Sequence, residues 1–382
     1  MRALPPSLSL SPACCVRGSQ DHPSASSRLS VGLRAARSAV GTNPSPARPS
    51  AQPRRATTDR VGAPDAENAR CPPSPTGSSV AAMPGISVAE VLDALGVHAD
   101  PVAPALTGGM SGSSVLGAVT PGGEPVVVKV SSFGTPESSH RARRELDVYT
   151  ELLLRVPLPA PRLVAAHRTE EWIAIALERH RPAPPASEWT SAQWHDLAVL
   201  LGKLHAGSRE LAGRFAPLHA VSSRPVDELA VFAQQLWNGE GDDARLEAAC
   251  SALDRLHDAV SDGPASFVHG DSHLGNVVLT TDGTLLLVDW QSAHVGPSIG
   301  DVAFALTRAA AAAGSIPRDQ VIEAYSAAAG TASAAVHRSI TAQQLLILVE
   351  QYPEFATFLG PGEVAGLRSA FDLLLEDWAE RQ

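Results

Sequence analysis

Three residues able to handle a proton or a divalent ion stand close together late in the chain: Asp271, Asn276 and Asp289, separated by five and then thirteen positions. The first two lie in Phe267-Val268-His269-Gly270-Asp271-Ser272-His273-Leu274-Gly275-Asn276; the third follows Leu285-Leu286-Leu287-Val288 and precedes Trp290. An apolar run predicted as a strand leads into each end, and a Thr281-Asp282-Gly283 turn separates them. Moving a phosphoryl group from a nucleotide to a hydroxyl calls for a carboxylate to orient the hydroxyl, an amide five residues later for Mg²⁺, and a second carboxylate for the metal. This segment holds all three, which makes Asp271 the candidate base and Asn276 and Asp289 the candidate metal ligands.

Such a site also needs a cation for the triphosphate. The chain has 28 Arg but two Lys, at 129 and 203. Lys129 sits inside the apolar strand Val126-Val127-Val128-Lys129-Val130. A position that needs a compact ammonium instead of a planar fork would resist a bias toward Arg; chance is the plain alternative. Glu145 follows sixteen residues later in a helix predicted over 136–154, with Leu146, Tyr149, Leu152 and Leu153 at helical spacing. A strand Lys paired with a helix Glu is how kinases hold the α- and β-phosphates. The competing reading of Glu145, flanked by Arg143 and Arg144, is a solvated helix charge. Upstream, Thr107-Gly108-Gly109-Met110-Ser111-Gly112-Ser113-Ser114 is a loop whose backbone amides could cradle phosphates, Gly109, Ser111, Gly112 and Ser113 being the candidates. Three Gly in eight residues also suit an ordinary hairpin.

The elements that must position these groups fall into two sets. Ser87-Val88-Ala89-Glu90 is a capping-box pattern opening a short helix through Leu95. A three-strand meander follows, from Pro101–Leu106 through Val115–Val119 and the Pro121-Gly122-Gly123 turn to the Lys129 strand. After the Glu145 helix come strands over 162–167 and 172–177, then a Pro-rich hinge from Arg181 to Pro185. From Thr190 the periodicity is helical, over 190–206, 225–237, 243–260, 299–313, 317–328, 334–350 and 362–380, interrupted by strands only around 267–289. The fold class expected is α+β and bilobal: an N-lobe over 83–180 with a small antiparallel sheet and one principal helix, and a larger, mainly helical C-lobe over 181–382. Trp189, Trp194 and Trp237 could line an acceptor pocket, but their spacing favours core.

The first 82 residues differ in composition. They are dense in Pro, Ser, Ala and Arg, and ten Arg against four acidic residues give a net +6, leaving −16 for the rest of a chain whose total is −10. Without a periodic apolar pattern they cannot offset the entropy of ordering. A transit peptide, a disordered arm and translated upstream DNA with Met83 as the true start all fit. Three of the four cysteines lie there, so Cys250 alone leaves no disulfide framework in the folded part; this suits a reducing, cytoplasmic compartment. The acidic balance argues against nucleic acid as a partner and is compatible with a cationic substrate. No apolar run reaches the ~18 residues of a membrane span.

Taken together, the Gly loop, strand Lys, helix Glu, hinge, His269-Gly270-Asp271-x-His273-x-x-Asn276 and strand-terminal Asp289 resemble the aminoglycoside phosphotransferase and choline kinase-like family, relatives of protein kinases. The resemblance runs from about Val102 to the C-terminus and is most specific over 266–304. The His-Gly-Asp order matches that family, which has Gly where protein kinases have Arg. Leu200-Leu201-Gly202-Lys203-Leu204-His205 is similar to its Leu-x-x-Leu-His helix end, with His205 a packing and hydrogen-bonding residue. The resemblance implies ATP as co-substrate, with GTP an alternative, and Mg²⁺ on Asn276 and Asp289. It implies Lys129 on the α- and β-phosphates, and residues Leu177 to Arg179, Glu178 among them, at adenine. Asp301, in Gly300-Asp301-Val302-Ala303, would brace the catalytic loop, and His269 and His273 would support it. Asp289-Trp290-Gln291 stands where protein kinases have Asp-Phe-Gly, so an activation-loop flip is not expected, and the loop around Gly108 lacks a recognisable spacing. The acceptor would be a small hydroxyl compound such as an aminoglycoside, amino-alcohol or sugar, with the charge favouring a cationic one, and the protein a monomer or homodimer. Two rivals remain: a metal-dependent phosphoesterase using His269, Asp271, His273 and Asp289, and a non-catalytic kinase-like nucleotide-binding protein.

Overall fold

A computed structural model describes residues 86–102, 113–212, 243–311, 316–352 and 359–381. Helix α1 (Val88–Leu95) opens the N-lobe. Ser87 is its N-cap, but the hydroxyl makes no capping bond, so the capping-box pattern marks the helix start without forming the box. Strands β1 (His98–Ala99), β2 (Ser114–Val119), β3 (Pro125–Ser132), β4 (Leu163–Arg168) and β5 (Trp172–Glu178) form one antiparallel sheet in the order β1-β2-β3-β5-β4. The meander therefore takes its first strand from His98–Ala99. Most of the expected 101–106 strand, and Gly109, Ser111 and Gly112 of the loop, lie outside the described residues.

The period of two along a strand decides what each face of this sheet does. Val126, Val128 and Val130 of β3, with Trp172, Ala174 and Ala176 of β5, bury one face with α1. Ile173, Ile175 and Leu177 point the other way, into the larger core. Lys129 shares that second face, paired across the sheet with Val115 and Ile175. Helix α2 (Pro136–Asp147) packs there, between β3 and β5 and the start of the segment that follows Asp289. Its N-terminus is well made: the Thr135 hydroxyl accepts from Ser138 N–H at 3.1 Å, Ser138 Oγ accepts from Thr135 N–H at 3.0 Å, and Pro136 sits at the first helical position. The helix expected to continue to 154 turns instead into a π segment, Val148–Leu152.

The C-lobe holds β6 (Arg181–Pro182), α3 (Ser191–Ala212), α4 (Asp243–Ser251), α5 (Leu253–Ser261), β7 (Ala265–Val268), β8 (Val277–Leu279), β9 (Leu285–Leu287), β10 (His294–Pro297), α6 (Gly300–Ala311), α7 (Arg318–Ala329), α8 (Ser333–Leu346) and α9 (Pro361–Glu380). The single helix expected over 243–260 is interrupted at Ala252, and α8 runs on into a second π segment, Ile347–Gln351. The helix expected over 225–237, with Trp237, lies outside the described residues. Trp189 and Trp194 are core: both are buried, with ring centroids 5.2 Å apart. Helices α3 and α7 pack in close contact at Gly202, where a Cβ would come within 2.9 Å of the Tyr325 carbonyl. The architecture is α+β and bilobal, as the sequence leads one to expect. None of the described helices is long and apolar enough to cross a membrane.

Candidate active site

Lys129 reaches out of β3 to two carboxylates. Its Nζ lies 2.7 Å from Glu145 Oε2 on α2 and donates to Asp289 Oδ1 at 2.8 Å. Lys129 is buried, which would favour losing the proton, yet the Glu145 and Asp289 carboxylates outweigh burial and hold its pKa above the ordinary lysine value. Glu145 is thus part of an ion pair and not a solvated charge; only 3 % of it is exposed.

Asp289 ends the β8–β9 hairpin in a left-handed conformation, φ +66°, the one non-glycine residue with positive φ among those described. Asp tolerates this region better than most side chains, and such strain persists where the surroundings over-determine it. Here they do. The next residue, Trp290, is fully buried, its Nε1–H donating to the Leu287 carbonyl at 3.0 Å and its ring stacked on Phe267. Val288 N–H donates to the Asn276 carbonyl at 2.9 Å, and Arg144 of α2 donates to the Gln291 carbonyl at 3.0 Å. The turn is clamped from both lobes.

The other half of the site is the bend after β7. Asp301, at the start of α6, receives the His269 and Gly270 amides on its two carboxylate oxygens, each at 2.8 Å, and His205 Nε2 at 3.0 Å. Its own carbonyl accepts from Ser272 Oγ at 2.6 Å. Burial alone would raise the Asp301 pKa, but the His205 hydrogen bond, the neighbouring His205 and His269 rings and the backbone amide of His269 hold it down to about 2. His205 Nδ1 pairs with the Tyr325 hydroxyl at 3.0 Å, so a buried chain Tyr325–His205–Asp301 underpins the bend. Gly270 is obligatory there: at φ +79° a Cβ would strike the Ser292 carbonyl. Both ring nitrogens of His269 are engaged. Nδ1 accepts from Asp271 N–H at 3.2 Å, which leaves Nε2 protonated to donate to the Val288 carbonyl at 2.9 Å.

Asp271 emerges from this bend partly exposed. Asn276, at the end of the 3₁₀ turn Leu274–Asn276, donates Nδ2–H to the Asp271 carbonyl at 2.8 Å and to its carboxylate at 3.2 Å. On its other side His273 Nε2 stands 3.7 Å from Asp271 Oδ1, while His273 Nδ1 accepts from Gly275 N–H. Burial lowers the His273 pKa, partly opposed by Asp271.

A cleft of about 610 Å³ between the lobes collects these groups. Val115, Val127, Leu177, Val278 and Val288 give it apolar walls; Lys129, Glu145, Asn276 and Asp289 form its polar end; Ser113 and Glu178 also line it. Asp271 adjoins it through Asn276, and His269 and Asp301 stand behind Asp271 without lining it. At the hinge, Glu178 N–H donates to the Arg162 carbonyl and Arg179 N–H to the Pro125 carbonyl, so both amides are engaged. The next amide, His180, has no backbone acceptor among the described residues. Arg144, Ser272 and Tyr325 were not singled out by the sequence. Arg144 adjoins Glu145 on α2 and Ser272 adjoins Asp271, so adjacency was the available signal; nothing marked Tyr325.

The model of the phosphotransferase enzyme family matches residues 103–337. The chain belongs to that family. As a phosphotransferase it shares its fold with several solved structures. An amicoumacin kinase in complex with AMP-PNP, Ca²⁺ and Ami is 13 % identical with a TM-score of 0.51, over 76 % of this chain and 94 % of that one. The microcompartment-associated aminopropanol kinase is 16 % identical with a TM-score of 0.51, over 77 % and 98 %. A type I macrolide 2′-phosphotransferase is 19 % identical with a TM-score of 0.50, over 76 % and 98 %. Among curated proteins none matches the chain.

Proposed function

We propose that this phosphotransferase moves the γ-phosphate of ATP to a hydroxyl of a small molecule, with Asp271 as base and Asn276 and Asp289 as the ligands of Mg²⁺. The observation that carries the proposal is the orientation of Asn276. With Nδ2 donating to Asp271, its amide oxygen is left for a cation. Lys129 takes one oxygen of Asp289 and leaves the other. The donors available are thus two oxygens in one cleft, which suits a hard cation that completes its shell with water and phosphate. A bound Mg²⁺ would offset the charge on the phosphate oxygens.

The protein's own contribution is positioning and charge. Lys129 would lie against the α- and β-phosphates, oriented by Glu145. The apolar walls suit a purine, with the free His180 amide, one residue beyond the Leu177–Arg179 stretch expected from the sequence, as the hinge donor. Ser113 would stand near the phosphates, and Glu178 at the purine. Asp271 would accept the hydroxyl proton, oriented by Asn276 and His273, while the Asp301 amide bonds hold the bend in place. The lobe boundary is placed at 180/181. The AMP-PNP and Ca²⁺ of the amicoumacin kinase complex support nucleotide and divalent metal use by analogy.

The phosphoesterase alternative requires His269 as a ligand, and both its nitrogens are already engaged. No cluster of three or more His, Cys, Asp or Glu suited to a metal occurs among the described residues. A non-catalytic role is disfavoured because the Lys, Glu, base and metal positions are all filled. The test is ADP formation from MgATP over a panel of amines, sugars and antibiotics, with product mass confirming phosphate transfer. A panel that yields no phosphorylated product, from protein that binds ATP, would favour the binding-protein reading.

A further inference from the structure

A second cavity adjoins the cleft at the end away from the hinge. In the β2–β3 ladder Val115 pairs with Lys129 and Ser114 with Val130; one step further out, the Ser113 and Ser131 hydroxyls are hydrogen-bonded at 2.8 Å. By the alternation of a strand, Ser131 lies on the same face as Lys129. Ser113 lines the cleft and also a separate chamber of about 320 Å³, whose walls include Ser131, Glu137, Ser138, Arg141 and Gln291. The first turns of α2 thus form one side of this chamber, and the residue two past Asp289 forms another.

Gln291 is only 7 % exposed, yet its side-chain amide makes no hydrogen bond among the described residues; the bond it receives from Arg144 is to its main-chain carbonyl. The amide is not walled off from solvent, and Gln291 lines this chamber. It therefore brings two unused N–H donors there. The groups around it are donors too. The mutual bond of Ser113 and Ser131 uses one hydroxyl hydrogen and leaves the other. Glu137 N–H, in the first turn of α2, has no backbone acceptor among the described residues. The charge here is positive although the whole chain is at −10. Arg141 lines the chamber, and Arg144, three residues on, has no carboxylate within ion-pair distance among the described residues. Burial, and then the charge of Arg141, push the Arg144 pKa down. Glu137 is the one carboxylate on the walls among the described residues; it is exposed and paired with Arg141. The positive end of the α2 dipole adds to the same sign.

We infer that this chamber binds a phosphoryl group, with Gln291 and Arg141 as its principal donors and the Ser113–Ser131 hydroxyls at its inner end. A phosphate has oxygens for donors that arrive from several walls, and charge assistance strengthens each bond. Two sources supply such a group: the terminal phosphate of a nucleotide in the cleft, reaching past Lys129, or a separate phosphate, free or esterified. The site goes beyond the function proposed above, which gives neither the Gln291 amide nor Arg141 a role, and phosphate binding is measurable without phosphate transfer.

The experiment titrates inorganic phosphate into the full-length protein alone, with MgADP bound and with Mg·AMP-PNP bound, followed by calorimetry and by ³¹P line broadening. The expected result is binding to the MgADP complex with a Kd of about 5 mM or tighter. Gln291→Glu, which sets a carboxylate where the amide donates, should weaken it at least ~tenfold, and Arg141→Gln at least ~threefold, with the Kd for MgADP unchanged in both. Arg141 is exposed, so its replacement keeps the fold, and circular dichroism checks Gln291→Glu. Phosphate bound in both nucleotide complexes identifies a separate phosphate; phosphate bound with MgADP but excluded by Mg·AMP-PNP identifies the terminal phosphate of the nucleotide. The inference is overturned if the MgADP complex takes up no phosphate, if phosphate displaces MgADP, which would place it against Lys129 in the cleft, or if both variants bind phosphate as the wild type does. Phosphate binding without transfer to any acceptor would sink the proposed function and leave this site standing; transfer from ATP by a protein that binds no phosphate here would do the reverse.

Discussion

Asn276 donates Nδ2–H to two of the oxygens of Asp271, the main-chain carbonyl at 2.8 Å and the carboxylate Oδ2 at 3.2 Å. The bonds settle which end of the amide faces away, and they make the proposed ligand and the proposed base one unit. Asn276→Asp should therefore be worse than a loss of one ligand, since it sets a second carboxylate against Asp271 and removes both donors. A fall in kcat of about 10²-fold or more is expected, about 2.7 kcal/mol in the barrier, measured by steady-state kinetics. Activity near wild type would show that the amide is not needed.

Lys129 serves two carboxylates at once, 2.7 Å from Glu145 and 2.8 Å from Asp289. A planar guanidinium, bulkier than an ammonium and fixed in its fork geometry, cannot reproduce both contacts inside the same buried space. Lys129→Arg should raise the Kd for MgATP about tenfold and lower kcat further, read by calorimetry and kinetics. An unchanged Kd would separate Lys129 from the nucleotide.

Arg144 joins helix α2 to the turn that carries Asp289 through one bond to the Gln291 carbonyl, at 3.0 Å. Because it touches neither proposed substrate, Arg144→Ala should raise the KM for MgATP several-fold while costing only about 1 kcal/mol of stability. Urea unfolding and kinetics on the same preparation would show it. Loss of stability with KM intact would reduce Arg144 to a packing role.

Asp301 has its folded-state pKa depressed to about 2, against an ordinary 3.8. A depressed carboxyl contributes stability that is fully present above the unfolded value and is lost as pH falls through the folded one. The window is therefore pH 4 down to pH 2, and the contribution about 2 kcal/mol. Chemical unfolding across that range should show the loss in the wild-type protein and a smaller one in Asp301→Asn. Equal slopes in both would exclude Asp301 as its source.

Much of this was legible in the sequence because it is local. The alternation Val126 to Val130 fixes which way Lys129 points, and the Asp271–Asn276 spacing spans a single turn. Other features depend on contacts between distant parts of the chain. Tyr325 and His205 meet across 120 positions, and His205 and Asp301 across 96. Nothing in the periodicity of α3, α6 or α7 announces either pairing. The two π segments escaped for another reason: Val148–Leu152 and Ile347–Gln351 keep helical apolar spacing while the backbone widens by one residue. Strand β10, His294–Pro297, contains Gly and Pro and no alternation, so only its pairing with β7 reveals it.

The central claim is a division of labour, with Asp289 serving the metal–nucleotide complex and Asp271 serving the hydroxyl. It is tested most directly by measuring MgATP affinity and single-turnover transfer for Asp271→Asn beside Asp289→Asn. The expected result is that Asp271→Asn binds MgATP as the wild type does but transfers phosphate about 10³-fold more slowly, while Asp289→Asn loses the Mg²⁺-dependent part of nucleotide binding. Near-normal transfer by Asp271→Asn, or unaltered Mg²⁺ dependence in Asp289→Asn, would contradict it.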